Sequence, residues 1–430
     1  MADSKNEAAW KLLFERHQIL KAIEKTGYYL ITSTEINAIR EARLMTKFDH
    51  QSQLPRLFAA HHLSILPVTR RNYLISSFNA FHPFEPDDDV TVHKIKFPSH
   101  IESLDFRNIT SESTALNCAF ITGIIQDFVN DDTLFATVNG RMSSSAFDFN
   151  VRCADGQTRN VAVKNAQIEI DAGYEGARSL SLIEAKNYIA GDFLIRQLYY
   201  PFRLWHGQIN KPIRPLFLTY TNGIFQLREY VFEDFRTYNS LRLHRQKKYI
   251  IDEGEPPINL QTILDVLHRT SVVAEPNVPF PQADSFQRVI NLCELLFDEK
   301  ALSHQQITSN YDFDRRQTNY YSDAGRYLGL IDKTHEGGEP LFYLTDKGNA
   351  LFQLDIKKRQ LALVAAILAH AAFRSSFLSY IEEAEVPNKG KIVEIMKASH
   401  IYGVAAENTF RRRASTISHW INWIMGLIEA

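Results

Sequence analysis

The chain has 430 residues, of which 45% are hydrophobic and 12% aromatic, and its formal net charge is −2. This is the composition of a globular protein with apolar material for about three domains, and it lacks the basic charge of most nucleic-acid-binding domains. No apolar run of about 18 residues predicts a membrane helix, and the three scattered cysteines, Cys118, Cys153 and Cys293, predict neither a disulfide framework nor a zinc site.

Residues 1–100 are predicted to form an α+β module. An amphipathic helix over residues 7–27 would end at Gly27, and two short strands follow within residues 63–68 and 71–78. Basic residues outnumber acidic ones between residues 40 and 72. We therefore expect this module to contact DNA phosphates or bases. The candidate residues are Arg43, Lys47, Arg70 and Arg71.

Residues 101–250 alternate between helical and strand patterns, which predicts a mixed α/β domain. The expected elements are a helix over 112–129, strands near 133–140, 145–152, 161–171 and 179–187, a helix over 191–207, and two strands joined by an Asn222-Gly223 turn. The resulting order is helix, several strands, helix and strand.

The strand near residues 179–187 carries an acid and a lysine two positions apart. Residues at that spacing project from the same face of a strand, so Glu184 and Lys186 share a side. Asp171 is expected to end the preceding strand, and the short link would return the chain antiparallel beside it. Asp171 and Glu184 would then converge. Two close carboxylates repel unless a cation lies between them, and oxygen ligands suit Mg²⁺. A lysine beside that ion favours metal-assisted phosphodiester hydrolysis.

This pattern resembles the PD-(D/E)xK nuclease superfamily. The resemblance rests on Asp171, then Glu184-Ala185-Lys186, within an order of helix, strands, helix and strand. It implies that Asp171 and Glu184 are metal ligands, that the Ala185 carbonyl is a third ligand, and that Lys186 is the catalytic lysine. Ile170 stands where the family's proline would be, a departure that the family commonly tolerates.

Further candidates flank the motif. The next helix resembles the element that follows the motif in many of these nucleases, which implies that Gln197 faces the site, with Tyr199 or Tyr200 as weaker candidates. Glu169 lies on the same strand face as Asp171 and is the candidate for an additional acidic ligand. The alternative for Glu169 is an exposed charge, and the alternative for Glu184 and Lys186 is a solvated ion pair.

Residues 251–283 are rich in proline and are predicted to be a linker. Residues 284–356 resemble a winged helix-turn-helix, with a hairpin at Gly337-Gly338 as the wing. Its second helix would expose residues of types that read bases. They are Arg315, Arg316, Gln317 and Asn319. This segment has seven Lys and Arg against twelve Asp and Glu, which favours a scaffolding or dimerisation role, and both interpretations stay open.

Residues 357–430 are predicted to form a second helical, winged-helix-like domain. They hold ten Lys and Arg against six Asp and Glu. The last helix would bury Ile417, Trp420, Ile421 and Ile424 and expose Arg411, Arg412, Arg413, Ser415 and Thr416. The three arginines are candidate DNA contacts, and a solvated helix end is the alternative.

The arrangement as a whole is similar to a bacterial type II restriction endonuclease. This implies a Mg²⁺-dependent, sequence-specific enzyme that cuts double-stranded DNA and that works beside a cognate DNA methyltransferase. We expect a homodimer, with Trp420, Trp423 and Met425 as candidate pairing faces. Since no leader or membrane segment is predicted, the expected location is the cytoplasm. The alternatives are a repair, recombination or modification-dependent nuclease, and a non-catalytic DNA-binding regulator.

Overall fold

The computed structural model describes residues 5–87, 90–252 and 254–429, and within them the protein is mixed α/β. The chain divides into two compact units. Unit 1 comprises residues up to 104, 111–220 and 224–251. Unit 2 comprises residues 105–110, 221–223 and those from 252 onward.

The first part of unit 1 is a small α+β module. Its elements are α1 (Lys5–Arg16), α2 (Ile19–Thr26), β1 (Tyr28–Thr32), α3 (Ser33–Asn37), α4 (Ala42–Met45), a 3₁₀ turn (Gln51–Gln53), α5 (Arg56–Ala60), β2 (Ser64–Pro67) and β3 (Asn72–Ser76). The three strands pair in the order β1-β3-β2. The helices bury Trp10, Phe14 and Phe58, whose rings meet edge to face and form the centre of this module's core.

The rest of unit 1 is built on a large mixed sheet. Its elements are β4 (Phe81–Pro83), β5 (Val92–Ile95), α6 (Glu112–Ile121), α7 (Ile124–Val129), β6 (Phe135–Ser143), β7 (Ala146–Arg152), β8 (Thr158–Lys164), β9 (Gln167–Glu175), β10 (Leu180–Lys186), β11 (Asp192–Leu194), α8 (Arg196–His206), β12 (Ile213–Thr221), β13 (Ile224–Phe232) and β14 (Leu241–Ile251). Seven strands pair in the order β5-β14-β13-β12-β10-β9-β6, while β11 pairs with β4 and β7 with β8.

The strand directions around β10 follow from the lengths of the connections. β9 runs antiparallel to β10, because a short link joins the two strands, and it also pairs antiparallel with β6, from which β7 and β8 separate it in the chain. β12 is parallel to β10, because α8 carries the chain across between them. α8 packs on β9 and β10, and α6 packs on the same two strands. The end of β10 therefore lies where two helices and a neighbouring strand meet.

Several elements end earlier than the sequence analysis predicted. The first helix divides at Gln18, which adopts a left-handed conformation with a φ of 50°, although Gly27 ends α2 as expected. The expected helix over residues 112–129 divides at Gly123, whose φ is 80°. The expected strand over residues 161–171 is two strands separated by a turn at Asn165. These left-handed residues interrupt patterns that are otherwise continuous in hydrophobicity.

Unit 2 is mainly helical. Its elements are α9 (Leu260–Arg269), α10 (Phe286–Glu299), β15 (Ala301–Ser303), α11 (His304–Asn310), α12 (Arg315–Tyr327), β16 (Ile331–Glu336), β17 (Glu339–Leu344), α13 (Asp346–Phe352), α14 (Ile356–Leu368), α15 (Ala371–Glu383), α16 (Lys389–Ala398) and α17 (Glu407–Met425). The strands pair in the order β15-β17-β16, with Gly337 and Gly338 at the hairpin turn. The linker prediction for residues 251–283 is wrong in part, since α9 lies within it.

The last helix, α17, confirms the expected buried face, since Ile417, Trp420, Ile421 and Ile424 are buried. Thr416 was expected to be exposed, but it is buried and donates a hydrogen bond to Asp284 Oδ1 at 2.8 Å. Among the helices that the structure describes, none is by itself long and apolar enough to cross a membrane, and only the bent pair of α14 and α15 reaches that length and composition together.

Candidate active site

Asp171 and Glu184 are brought together by the pairing of β9 with β10. The register joins Leu182 to Gly173 and Ile183 to Ala172, so the next positions along are Glu184 and Asp171. Asp171 Oδ2 accepts a hydrogen bond of 2.8 Å from the Ala185 amide. Asp171 does not end its strand as the sequence analysis expected, because β9 continues to Glu175. The expected neighbourhood of the two acids is nevertheless present.

Lys186 projects from the end of β10 into this acidic surrounding. Its ammonium nitrogen lies 2.6 Å from Glu184 Oε1 and 2.9 Å from the Ala185 carbonyl oxygen. Lys186 has an exposed side-chain fraction of only 11%, and Glu184 one of 10%, so neither is part of a solvated ion pair. The ammonium of Lys186 therefore contacts two of the proposed metal ligands, the Glu184 carboxylate and the Ala185 carbonyl.

Glu112 is a third acid at the site that sequence reasoning missed. It is the first residue of α6, which begins where the Ser111 side chain caps the helix by accepting a hydrogen bond from the Thr114 amide. Glu112 Oε1 lies 3.6 Å from Lys186 Nζ. No motif spacing in the sequence links Glu112 to Glu184, because α6 reaches the site through its packing on β9 and β10.

Gln197 reaches the site from the first turn of α8. Its amide nitrogen donates a hydrogen bond of 2.6 Å to Glu184 Oε1, and its amide oxygen is buried without a protein partner. The two neighbouring tyrosines have other roles. The hydroxyl of Tyr199 donates to the Phe235 carbonyl, and that of Tyr200 donates to the Pro67 carbonyl.

Glu169 is placed differently from Asp171. It is exposed near the start of β9, and its carboxylate pairs with Arg141 of β6 at 3.1 Å. Burial is the main cause of the raised pKa of Asp171, and the negative charge of Glu169 also raises that pKa. This placement agrees better with Glu169 as an exposed charge on the strand than with Glu169 as a metal ligand.

The protonation of the site acids reflects their burial. Burial raises the pKa of Glu184 to about 8, despite the opposing effect of Lys186. Burial likewise raises the pKa of Asp171 and of Glu112. Burial alone would lower the pKa of Lys186, but Glu184 and Glu112 outweigh it and raise the pKa. Three acids thus face a single ammonium, so the site favours additional positive charge.

The donor set suits a hard divalent cation. Carboxylates and backbone carbonyls are the ligands that Mg²⁺ takes, with water completing its coordination. Asp171, Glu184 and the Ala185 carbonyl supply such oxygens, and the unpartnered oxygen of Gln197 lies at the same end of β10. Of the described acids around Lys186, no three bring an oxygen each to within 4.8 Å of one another. The candidate donors that the structure brings together are therefore two carboxylates and a carbonyl rather than an acidic triad.

The basic residues predicted for the N-terminal module all lie on its surface. They are Arg43, Lys47, Arg70 and Arg71. Lys47 lies 3.6 Å from Asp49, and its charge is one of those that act on Glu112 at the candidate active site. The structure therefore places one of the four close to the acidic cluster.

In unit 2, the residues predicted to read bases lie at the N-terminal end of α12. Arg315, Arg316 and Asn319 are exposed. Gln317 is committed to a capping box, in which its side-chain oxygen accepts a hydrogen bond from the Asp314 amide. Arg316 Nε donates to the Tyr320 hydroxyl at 2.6 Å.

Of the three arginines of α17, Arg413 lies close enough to α12 for charged groups of that helix to act on it. Arg411 and Arg412 are exposed, and Arg413 is half-buried with two of its nitrogens lacking a protein partner. Burial and Arg412 lower the pKa of Arg413, while Tyr320 and Asp323 of α12 act in the opposite direction. Arg413 is therefore the residue of this set that α12 influences.

Comparison with known proteins gives three matches, each to a domain of unknown function. They are DUF6996 over residues 7–75, DUF6997 over residues 76–250 and DUF7226 over residues 288–429. The second range contains Glu112, Asp171, Glu184, Lys186 and Gln197. Searches of curated proteins and of solved structures found no match.

Proposed function

We propose that the protein is a Mg²⁺-dependent endonuclease that cuts double-stranded DNA at a specific sequence, as a type II restriction enzyme does. One observation carries the proposal: Lys186 Nζ lies 2.6 Å from Glu184 Oε1 and 2.9 Å from the Ala185 carbonyl, beside Asp171. Buried and partly buried acids that surround one lysine at a strand end are suited to holding a cation against a phosphate.

The arrangement of elements supports the proposal. A helix precedes three antiparallel strands, β6, β9 and β10, and α8 then leads to β12, parallel to β10. This agrees with the order of helix, strands, helix and strand on which the resemblance to PD-(D/E)xK nucleases rests. A restriction-endonuclease-like core is therefore part of the proposal.

In the proposed reaction, Asp171, Glu184 and the Ala185 carbonyl would hold the ion. The ion, when bound, would supply Lewis-acid stabilisation of the charge that develops on the phosphate. Lys186 would be displaced toward the scissile phosphate and orient the attacking water. Gln197 would hold Glu184 Oε1 through its amide nitrogen, so that the carboxylate keeps its direction when Lys186 moves.

Binding of DNA is assigned to the basic surfaces. The N-terminal module would contact the duplex near the scissile phosphate through Lys47, because Lys47 lies near Glu112. The arginines of α12 and α17 would contact it through unit 2, which would have the winged-helix role that its order of elements suggests. A cognate DNA methyltransferase would protect the host's own sites.

Substitutions in the candidate site test the proposal, and the same sheet offers matched controls. Lys186→Ala, Glu184→Gln and Asp171→Asn should each lower the rate of plasmid cleavage with Mg²⁺ by about 100-fold or more, since each removes a ligand or a charge that acts in the transition state. DNA binding, measured by fluorescence anisotropy in Ca²⁺, should stay within about threefold of wild type.

The control pair is Lys211 and Glu175, which form a 2.6 Å ion pair at the far end of β9. Lys211→Ala and Glu175→Gln remove the same chemical groups from a partly exposed ion pair, so they should cut at close to the wild-type rate. If Lys186→Ala cut as fast as Lys211→Ala, the assignment of the catalytic site would be wrong.

A further inference from the structure

The segment from Lys47 to Gln53 belongs to the N-terminal module, yet it is fixed to the chain that follows the Glu184-Ala185-Lys186 motif. The Leu194 amide donates to the Asp49 carbonyl at 3.0 Å. The Gln51 amide lies 3.2 Å from Asp192 Oδ2, and it donates to this carboxylate. These hydrogen bonds join residues that are far apart in sequence, and they hold the segment against residues 192–194, which follow the motif.

His50 is at the centre of this junction. It is 1% exposed, and both of its ring nitrogens have partners. Nδ1 lies 2.7 Å from the Asp192 carbonyl oxygen and 3.2 Å from Asp192 Oδ1, while Nε2 lies 2.8 Å from the Tyr188 hydroxyl. The rings of His50 and Tyr188 also meet edge to face, with their centroids 5.5 Å apart. The imidazole is thus held on both sides.

Tyr188 connects this junction to the proposed catalytic lysine. It lies two residues beyond Lys186, it is buried, and its charged neighbours include Lys186, Asp49, Glu112 and Glu184. Lys186 is the last residue of β10, so no strand pairing beyond it fixes the direction of its side chain. The side chain of Tyr188, which lies two residues later and is hydrogen-bonded to His50, supplies that constraint.

We propose that His50 is a positioning residue, which holds Tyr188 and thereby fixes the end of β10 from which Lys186 projects. The N-terminal module is then a component of the catalytic centre as well as a DNA-contacting module. The statement about catalysis rests on the proposed nuclease function, whereas the structural coupling of His50 to residues 184–188 does not.

Hydrogen exchange of the full-length, metal-free protein tests the coupling without any assumption about activity. In His50→Phe and Tyr188→Phe, the peptide that covers residues 184–190 should exchange about tenfold faster, since its side-chain anchor is lost. Tyr200→Phe is the matched control, because it also removes one buried tyrosine hydroxyl that makes one hydrogen bond in unit 1. Tyr200→Phe should leave this peptide unchanged.

Cleavage kinetics then test the effect on the site. His50→Phe and Tyr188→Phe should lower kcat by about tenfold with KM for DNA within about twofold, and His50→Gln, whose amide can still reach Tyr188, should recover most of the loss. Tyr200→Phe should cut at the wild-type rate. Unchanged exchange of residues 184–190 in both His50→Phe and Tyr188→Phe would overturn the inference. If the wild-type protein cut no DNA, the proposed function would fail while the exchange data still decided the coupling.

Discussion

At the scale of single residues, the sequence predicted some of the neighbours of Lys186 and missed others. The two-residue spacing places Glu184 and Lys186 on one face, and the short link predicts the approach of Asp171. The hydrogen bond from Gln197 to Glu184 agrees with its expected position. Glu112 and His50 were not predicted, because tertiary packing alone brings them near, and no local pattern marks such residues.

Unit 2 contains a buried histidine whose titration should affect stability. His370 is 5% exposed, its Nδ1 has no protein partner, and its ring lies 4.2 Å from that of Tyr327. Burial lowers the pKa of His370 to about 4, and the nearby Lys347 adds to the effect. The imidazole is therefore neutral in the folded protein at neutral pH.

This pKa predicts a loss of stability in acid. Since the unfolded chain takes up the proton at a higher pH than the folded one, the contribution of His370 is fully present above about pH 6.5 and is lost as the pH falls toward 4. At pH 5 the loss should be about 2 kcal/mol. Urea unfolding of His370→Gln and wild type at pH 5 and pH 7.5 measures it.

Between pH 7.5 and pH 5, His370→Gln should lose less free energy of unfolding than wild type. His268→Gln, which changes an exposed histidine of α9, is the control and should follow wild type. Parallel pH profiles for wild type and His370→Gln would contradict the prediction.

At the scale of elements, the sequence predicted whether a segment is a helix or a strand better than it predicted where the segment begins and ends. Hydrophobic periodicity indicated α17 correctly, because this helix buries a regular face, and a short apolar run indicated β10, which is buried on both faces. It missed the breaks at Gly123 and Asn165, where a left-handed residue divides a continuous apolar pattern. It also missed α9, because the prolines on both sides of residues 260–269 suggested a linker.

The arginines of α12 and α17 predict two kinds of effect on DNA binding. Arg412→Ala and Arg413→Ala should weaken binding to all sequences alike and reduce the salt slope by about 1 each, as loss of a phosphate contact does. Arg315→Ala should cost about 1–3 kcal/mol, mainly on the cognate site, because it begins the helix proposed to enter the major groove. Anisotropy titrations at several salt concentrations measure both.

Lys391→Ala is the control for these titrations. Lys391 is an α16 lysine whose charge is matched by Glu383, so its removal should change binding little. If the loss from Arg315→Ala were the same on cognate and unrelated DNA, α12 would position the duplex without reading it.

At the scale of the whole molecule, the three matched ranges follow the organisation of the chain. The first coincides with the small N-terminal module, the second with the large mixed sheet, and the third with most of unit 2. The proposal assigns DNA contact, catalysis and sequence reading to them in that order, with the N-terminal module also supporting the catalytic centre. A homodimer stays a prediction, since one such site cuts one strand and a two-fold axis would match a symmetric target.

Sequencing the ends of plasmid fragments tests the central claim most directly. Full-length protein is incubated with plasmid DNA and Mg²⁺, beside the same reactions with EDTA and with Glu184→Gln. The account predicts double-strand breaks only in the first reaction, with ends that share one short sequence, symmetric between the two strands. Intact plasmid with Mg²⁺, equal cutting by Glu184→Gln, or ends scattered without regard to sequence would contradict it.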